Sequence, residues 1–188
     1  MGFEFYLRSA LLGVGLAMDA CAVSMASGFK EPKMPVKRIL LIAAFFGGFQ
    51  GIMPLIGYFV GYALLSVIIK IIPWLSLIIL GFLGGKMIKD GIRGGEEEVK
   101  TFTIGALFMQ AIATSLDALS VGFTMADYTL TMALVSALVI AAETFIISFA
   151  GVEIGKKFGT VLGGKAEIAG GIILILIGIE IFVTKIFF

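Results

Sequence analysis

The stretch Leu16-Ala17-Met18-Asp19-Ala20-Cys21-Ala22-Val23 carries one carboxylate in the middle of an apolar run of membrane-spanning length. No other charged residue lies between positions 11 and 26. The pattern returns 98 residues later, where Asp117 lies near the centre of Ser115-Leu116-Asp117-Ala118-Leu119-Ser120-Val121. A charged side chain at the centre of a bilayer costs roughly 2.5 to 3.5 kcal/mol on insertion scales. Two such residues at matching positions therefore predict a functional site inside a membrane.

The composition excludes several classes of protein. The chain has 188 residues, 60% of them hydrophobic and 14% charged, and a soluble domain of that length cannot bury so much apolar surface. A net charge of +1 gives no basic surface for nucleic acid. The absence of histidine removes the commonest ligand for zinc or copper, and we expect no bound cofactor. No nucleotide-binding loop is present, so pumping should draw on an ion gradient.

The long apolar runs are predicted to be membrane helices, each of about 20 residues. We predict an all-α integral membrane protein with six transmembrane helices, at residues 4–28, 39–63, 73–92, 102–126, 129–153 and 167–187. They form two three-helix units, residues 1–92 and 102–188, joined by a polar cytoplasmic linker at 93–101. Pro73 is expected in the first turn of the third helix, where its missing N–H costs no hydrogen bond.

The distribution of basic residues predicts the orientation. Eleven of the fourteen Lys and Arg residues lie in the connections after the first, third and fifth spans, whereas Arg8, Lys70 and Lys185 lie on the opposite side. Lys and Arg concentrate on the cytoplasmic side of membrane proteins. We therefore expect both termini outside the cell and these three connections inside it.

The two halves of the chain also match beyond the aspartates. At the same offset of 98 residues, Leu40, Ile42, Ala43 and Ala44 match Leu138, Ile140, Ala141 and Ala142, and Ile56, Gly57 and Gly61 match Ile154, Gly155 and Gly159. Because each unit has an odd number of spans, the second enters the membrane in the opposite sense. Inverted repeats of this kind build transporters with a substrate site near the midplane. Chance alignment of Ala-, Gly-, Ile- and Leu-rich segments is the alternative.

Side-chain oxygens lie beside Asp117 in the sequence, whereas the helical neighbours of Asp19 are the small or apolar residues Gly15, Leu16, Ala22 and Val23. On a helix, Thr114 and Ser120 are neighbours of Asp117 at a spacing of three residues. Gln50 in the second span is a candidate neutral ligand or a helix-to-helix hydrogen bond. Two carboxylates with hydroxyl, amide and carbonyl oxygens suit a hard divalent cation such as Mn²⁺ or Mg²⁺. The structural alternative is two protonated aspartates that hydrogen-bond neighbouring helices.

Glu143 and Glu180 are further acids in apolar surroundings, and no Lys or Arg lies comparably deep. Either the acids are protonated or mobile cations neutralise them, and both cases indicate a proton or cation path. Glu143 matches Phe45 in the repeat and has no symmetric partner. Glu180 lies near a helix end, where water also reaches it.

Several segments resemble the MntP-type manganese efflux pumps, small bacterial inner-membrane proteins related to the lysine exporter superfamily. The segments cover nearly the whole chain in order: Ala17-Met18-Asp19-Ala20, Phe49-Gln50-Gly51-Ile52-Met53-Pro54-Leu55-Ile56-Gly57, Leu83-Gly84-Gly85-Lys86-Met87-Ile88, Ala111-Ile112-Ala113-Thr114-Ser115-Leu116-Asp117-Ala118 and Lys165-Ala166-Glu167-Ile168-Ala169-Gly170-Gly171. The resemblance implies six spans in duplicated halves, Mn²⁺ export from the cytoplasm across the bacterial plasma (inner) membrane, and importance for Asp19 and Asp117. Glu143 is not part of that pattern.

Three other classes compete with manganese export. An intramembrane aspartyl protease also places one aspartate on each of two spans, but its Gly-x-Gly-Asp motif is missing before Asp19 and Asp117. We therefore expect a transporter and not an enzyme. A scaffold subunit leaves the central acids unexplained. An exporter of cationic amino acids is the nearest rival, although the substrate carboxylate would need a fixed cation that the apolar spans lack.

Overall fold

The chain folds into helices throughout the part that the structure describes. The computed structural model describes residues 2–60, 62–92, 103–125, 127–162 and 165–187. No strand occurs in these ranges, and the helices are α1 (Phe3–Lys30), α2 (Val36–Val60), α3 (Tyr62–Ile92), α4 (Ile104–Thr124), α5 (Leu130–Leu162) and α6 (Ala166–Phe187). The all-α prediction is confirmed. The predicted linker at 93–101 lies outside the described residues.

Among the residues that the structure describes, four helices are long and apolar enough to cross a membrane. They are α1, α2, α4 and the part of α5 from Leu130 to Gly159, and α6 contains a shorter apolar segment, Ile168–Thr184. Large apolar side chains cover the outside of the bundle, among them Leu11, Phe82 and Leu138, each about 70% exposed. A soluble surface does not carry apolar cover on this scale. The chain is a multi-pass membrane protein.

One sequence prediction about the third helix is wrong. Helix α3 begins at Tyr62, so Pro73 lies inside it and not in its first turn. The residues before Pro73 are mostly apolar, and an apolar segment in a membrane forms a helix because the helix pairs its backbone groups internally. A proline removes only one backbone hydrogen bond from such a helix, and packed membrane helices tolerate that loss. Helix α5 also continues to Leu162, nine residues beyond the predicted end of the fifth span.

Helix α1 packs mainly against α5, and the two run parallel. Gly13 of α1 lies against Ile140 and Glu143 of α5, whereas Gly28, further along α1, lies against Val152 and Lys156. The missing side chain of Gly28 lets the two backbones touch, because a Cβ atom there would overlap the Val152 carbonyl oxygen. Close approach through small residues is the usual way in which membrane helices associate.

Helix α2 lies between α4 and α5. It runs parallel to α4: the rings of Phe49, in the middle of α2, and Phe108, near the start of α4, are 5.3 Å apart, and the backbones of Gly57 and Gly122 meet near the ends of both helices. It runs antiparallel to α5. There, a Cβ atom at Gly47 would lie 3.1 Å from the Cβ of Phe145, whereas one at Gly51, further along α2, would lie 3.1 Å from the carbonyl oxygen of Ala137, earlier on α5.

Helices α3 and α6 form an antiparallel pair beside this core. The Trp74 and Phe182 rings stack edge to face, 4.8 Å apart, and Gly84 and Gly171 bring the two backbones together further along. Among the described residues, consecutive helices within α1–α3 and within α4–α6 make few contacts. The core is therefore built between the two halves of the chain.

Candidate metal site

The two predicted aspartates lie near the middle of their helices, Asp19 on α1 and Asp117 on α4, and both are half-buried. An oxygen of Asp117 accepts a 2.8 Å hydrogen bond from the Ala118 N–H. Leu16, one turn before Asp19, belongs to the same apolar cluster as Ala118. Residues close in sequence to the two aspartates, Leu16 on α1 and Ala118 on α4, therefore belong to one cluster where these helices meet.

The neutral ligand candidates on α4 differ in their surroundings. Thr114 is nearly fully buried and donates its hydroxyl to the carbonyl oxygen of Gln110 at 3.0 Å. Its neighbour Ser115 donates to the carbonyl oxygen of Ala111 at 2.6 Å, while Ser120 is half-buried. A hydroxyl that donates to its own helix keeps its lone pairs. Thr114 and Ser115 therefore remain able to offer oxygen to a cation.

Gln50 connects α2 to the turn of α1 that precedes Asp19. Its side chain is fully buried, and its amide nitrogen donates to the carbonyl oxygen of Leu16 at 3.0 Å. This is the helix-to-helix hydrogen bond that the sequence offered as one of two roles for Gln50. The side-chain oxygen Oε1 has no hydrogen-bond partner. Pro54 lies inside α2 and has no N–H to donate to the carbonyl of Gln50, so that carbonyl is also left without its usual partner.

The two predicted glutamates differ sharply. Glu143 on α5 is half-buried, and its oxygen Oε2 is buried without a hydrogen-bond partner. A Cβ atom at Gly13 would overlap this oxygen, so α1 packs directly on the carboxyl group through a glycine. Glu180 on α6 is exposed. The structure therefore keeps Glu143 inside the bundle and does not bring Glu180 there.

Sequence reasoning missed a set of buried hydroxyls. Of the side chains that the structure describes, those with a buried oxygen lacking a partner all lie on α1, α2 or α5: Ser9, Ser24, Gln50, Ser136, Glu143, Thr144 and Ser148. Three of the missed residues, Ser136, Thr144 and Ser148, recur on α5 at intervals of eight and four residues. That spacing keeps them on one side of a helix, and it is the signal from which they could have been found.

A cavity of about 560 Å³ opens at one end of the bundle. It lies between the end of α1, the start of α2, the end of α3 and the start of α4, and charged side chains line it, including Lys30 and Glu31. Arg38 lines it too, and its guanidinium donates to a Glu31 carboxylate oxygen at 2.6 Å. Gln110 also lines the cavity. Because Gln110 precedes Asp117 by seven residues on α4, the cavity reaches to within about two helical turns of Asp117.

Within the described ranges, no group of three or more His, Cys, Asp or Glu side chains is placed to hold a metal ion. The predicted site contains two such residues, Asp19 and Asp117, and its other candidate ligands are neutral oxygens.

Comparison with known proteins identifies the family. Residues 33–182 match the family described as "Putative manganese efflux pump". The chain belongs to the manganese efflux pump family. A protein of the same description in Ruminiclostridium cellulolyticum is 41% identical to it over 95% of both chains. One in Methanosarcina mazei is also 41% identical, over 94% of this chain and 95% of the relative. A third, from Clostridium botulinum strain Hall, is 41% identical over 92% of both chains. No solved structure matches significantly.

The part of the chain that matches the manganese efflux pump family model begins after α1. It contains Gln50, Thr114, Asp117 and Glu143, whereas Asp19 precedes it. The family relation agrees with the resemblance that the sequence motifs indicated.

Proposed function

We propose that this chain is a secondary transporter that exports Mn²⁺ from the cytoplasm and is driven by an ion gradient. The observation that carries the proposal is one half-buried carboxylate on each of α1 and α4, each within one helical turn of a residue in the cluster where these helices meet. Gln50 adds an unpartnered oxygen beside the turn that precedes Asp19. Carboxylate and neutral oxygens without imidazole match the preference of Mn²⁺, and the relatives are described as manganese efflux pumps.

The proposed architecture is an inverted repeat of residues 1–92 and 102–188. Exchanging α1, α2 and α3 with α4, α5 and α6 converts the α1–α5 pair into the α4–α2 pair, and both pairs are parallel. The same exchange maps the antiparallel pairs α2–α5 and α3–α6 onto themselves. Gly47 and Phe145, which are 98 residues apart, face each other where α2 crosses α5. Such a contact is expected where a pseudo-two-fold axis passes between the halves.

The proposed orientation has both termini outside the cell, in the plasma (inner) membrane of a bacterium. Lys30, Lys33, Lys37 and Arg38 lie around the connection between α1 and α2, and a concentration of basic residues favours the cytoplasm. The 560 Å³ cavity is lined by residues of the same region. In this orientation the cavity is the entrance through which a cytoplasmic ion approaches the aspartates.

We expect cells that lack this protein to accumulate manganese and to become sensitive to added Mn²⁺, because the exit route is lost. Intracellular manganese, measured by elemental analysis with and without the gene, checks this. Re-expression of the intact chain should restore the normal level and serves as the control. Unchanged manganese with raised internal lysine or arginine would replace metal export by export of a cationic amino acid.

Glu143 is the proposed carrier of the coupling proton or cation, since its buried oxygen lacks a partner in the described structure. Glu143→Gln keeps the shape and removes the charge, so we expect an intermediate loss of Mn²⁺ export and a weaker response to the imposed ion gradient. Export from loaded vesicles with and without a gradient measures both. The exposed Glu180 provides the matched control. Glu180→Gln should change the response of export to the gradient less than Glu143→Gln does. An equal loss of export and of gradient response in both variants would contradict a special role for Glu143.

A further inference from the structure

We infer that the bundle contains a second cavity, closed in this structure, which opens on the face opposite the 560 Å³ cavity and releases the transported divalent cation. The inference rests on the inverted repeat and the direction of export proposed above. Beyond that proposal, the inference identifies the residues that line the exit and those that close it.

The residues that line the open cavity identify the position of the closed one. Six of the thirteen lining residues, Ser27, Lys30, Arg38, Ile42, Thr103 and Leu107, correspond in that order, at the offset of 98 residues, to Met125, Tyr128, Ser136, Ile140, Phe5 and Ser9. These six counterparts lie at the other end of α1, at the end of α4 and at the start of α5. Five of them are buried, and Tyr128 is half-buried. These six repeat positions therefore line a cavity at one end of the bundle and are mostly buried at the other, whereas the counterparts of Glu31, Ala106 and Gln110, which are Thr129, Arg8 and Leu12, are exposed.

Aromatic and apolar contacts close this end. The rings of Phe5 and Tyr128 are 5.7 Å apart. The Tyr58 hydroxyl of α2 donates a 2.9 Å hydrogen bond to the carbonyl oxygen of Tyr128. Deeper in the bundle, Met125 and Ile140 pack in one cluster with Leu16, one turn from Asp19. The closing contacts thus form a short stack between the outer surface and the level of the aspartates.

Two buried hydroxyls inside this stack indicate that it opens. Ser9 and Ser136 are at most 1% exposed, and neither hydroxyl has a hydrogen-bond partner. A buried polar group without a partner is unfavourable and calls for an explanation. Their repeat counterparts, Leu107 and Arg38, both line the open cavity. When the outer end opens, water reaches Ser9 and Ser136, and their oxygens come within reach of a departing cation.

Cysteine accessibility tests the closed cavity. Cys21 is the only cysteine, so single cysteines can be placed in a Cys21→Ser background and treated from outside with a membrane-impermeant thiol reagent. Glu4→Cys should be labelled and Lys33→Cys should not, since both positions are exposed but lie on opposite sides. Ser9→Cys and Ser136→Cys should be labelled slowly. Adding Phe5→Ala or Tyr58→Phe, which weakens the closing contacts, should raise that rate at least about fivefold.

The matched control is Val23→Cys, a fully buried position of α1 in the main core. Its labelling should stay at background with and without Phe5→Ala. If Ser9→Cys and Ser136→Cys label no faster than Val23→Cys in every background, there is no second cavity. Labelling of Lys33→Cys in place of Glu4→Cys would overturn the direction of release. Because the assay reads no manganese, a failure of manganese export as the function would leave its result intact, and the two failures are distinguishable.

Discussion

Replacing Asp19 or Asp117 with asparagine is expected to abolish manganese export while the protein stays in the membrane at a near-normal amount. Asparagine keeps the size of the side chain and much of its hydrogen bonding, including the Ala118 N–H contact of Asp117, but removes a negative charge. A divalent ion that leaves water needs anionic compensation. Loss of an outer-shell partner already costs about 10–100-fold in metal affinity, and we expect a larger loss for a direct ligand.

Manganese efflux from loaded vesicles, normalised to the amount of inserted protein, measures this loss. Thr114→Ala and Ser120→Ala remove only neutral oxygens and should weaken export less. If the aspartates are instead protonated packing groups, asparagine will function nearly normally at both positions. Substantial efflux by the Asp19→Asn, Asp117→Asn double variant would rule out the proposed metal site.

Leucine at Gly57 or Gly122 is expected to prevent the protein from folding. These glycines bring the backbones of α2 and α4 together: a Cβ atom at Gly122 would overlap the Pro54 carbonyl oxygen, and one at Gly57 would overlap the Leu119 carbonyl oxygen. Ordinary overpacking costs about 1–3 kcal/mol because side chains adjust. Here the obstructing atoms belong to backbone held in helices, so the cost is higher.

The amount of protein that survives mild detergent extraction and migrates as a single species measures the effect. Gly48→Leu is the matched control, because Gly48 lies on the same helix and a Cβ atom there would meet nothing within 4 Å. That variant should accumulate normally, since leucine favours a helix more than glycine does. Equal accumulation of Gly48→Leu and Gly122→Leu would contradict the close crossing of α2 and α4.

Much of the fold could be predicted because a membrane span requires a long apolar run, and such runs are visible in a single sequence. Helix ends were harder to predict. Pro73 indicated a helix start in the sequence, but α3 continues through it, since apolar residues on both sides favour one uninterrupted helix. The pairing of helices depends on which glycines face each other, as Gly57 faces Gly122, and spacing along one helix does not specify the partner.

The candidate site could be predicted in part. Asp19, Asp117 and Glu143 stood out because a carboxylate in an apolar span is costly and therefore conspicuous. Ser9 and Ser136 did not stand out, because a serine is common and inexpensive in a membrane helix. They are of interest because their hydroxyls are buried without a hydrogen-bond partner. That burial depends on how α1 and α5 pack. The hydrogen bond from Gln50 to Leu16 was one of two alternatives that the sequence left open.

The pairing of α1 with α5 and of α2 with α4 has a consequence for biogenesis. At about 5–20 residues per second, on the order of ten seconds separate the synthesis of α1 from that of α5. During this time the first three helices are in or near the membrane without their main partners. A ribosome that stalls after α3 leaves a fragment whose glycine faces and Asp19 meet lipid in place of protein. We therefore expect the newly made half to stay at the site of insertion until translation supplies the other half.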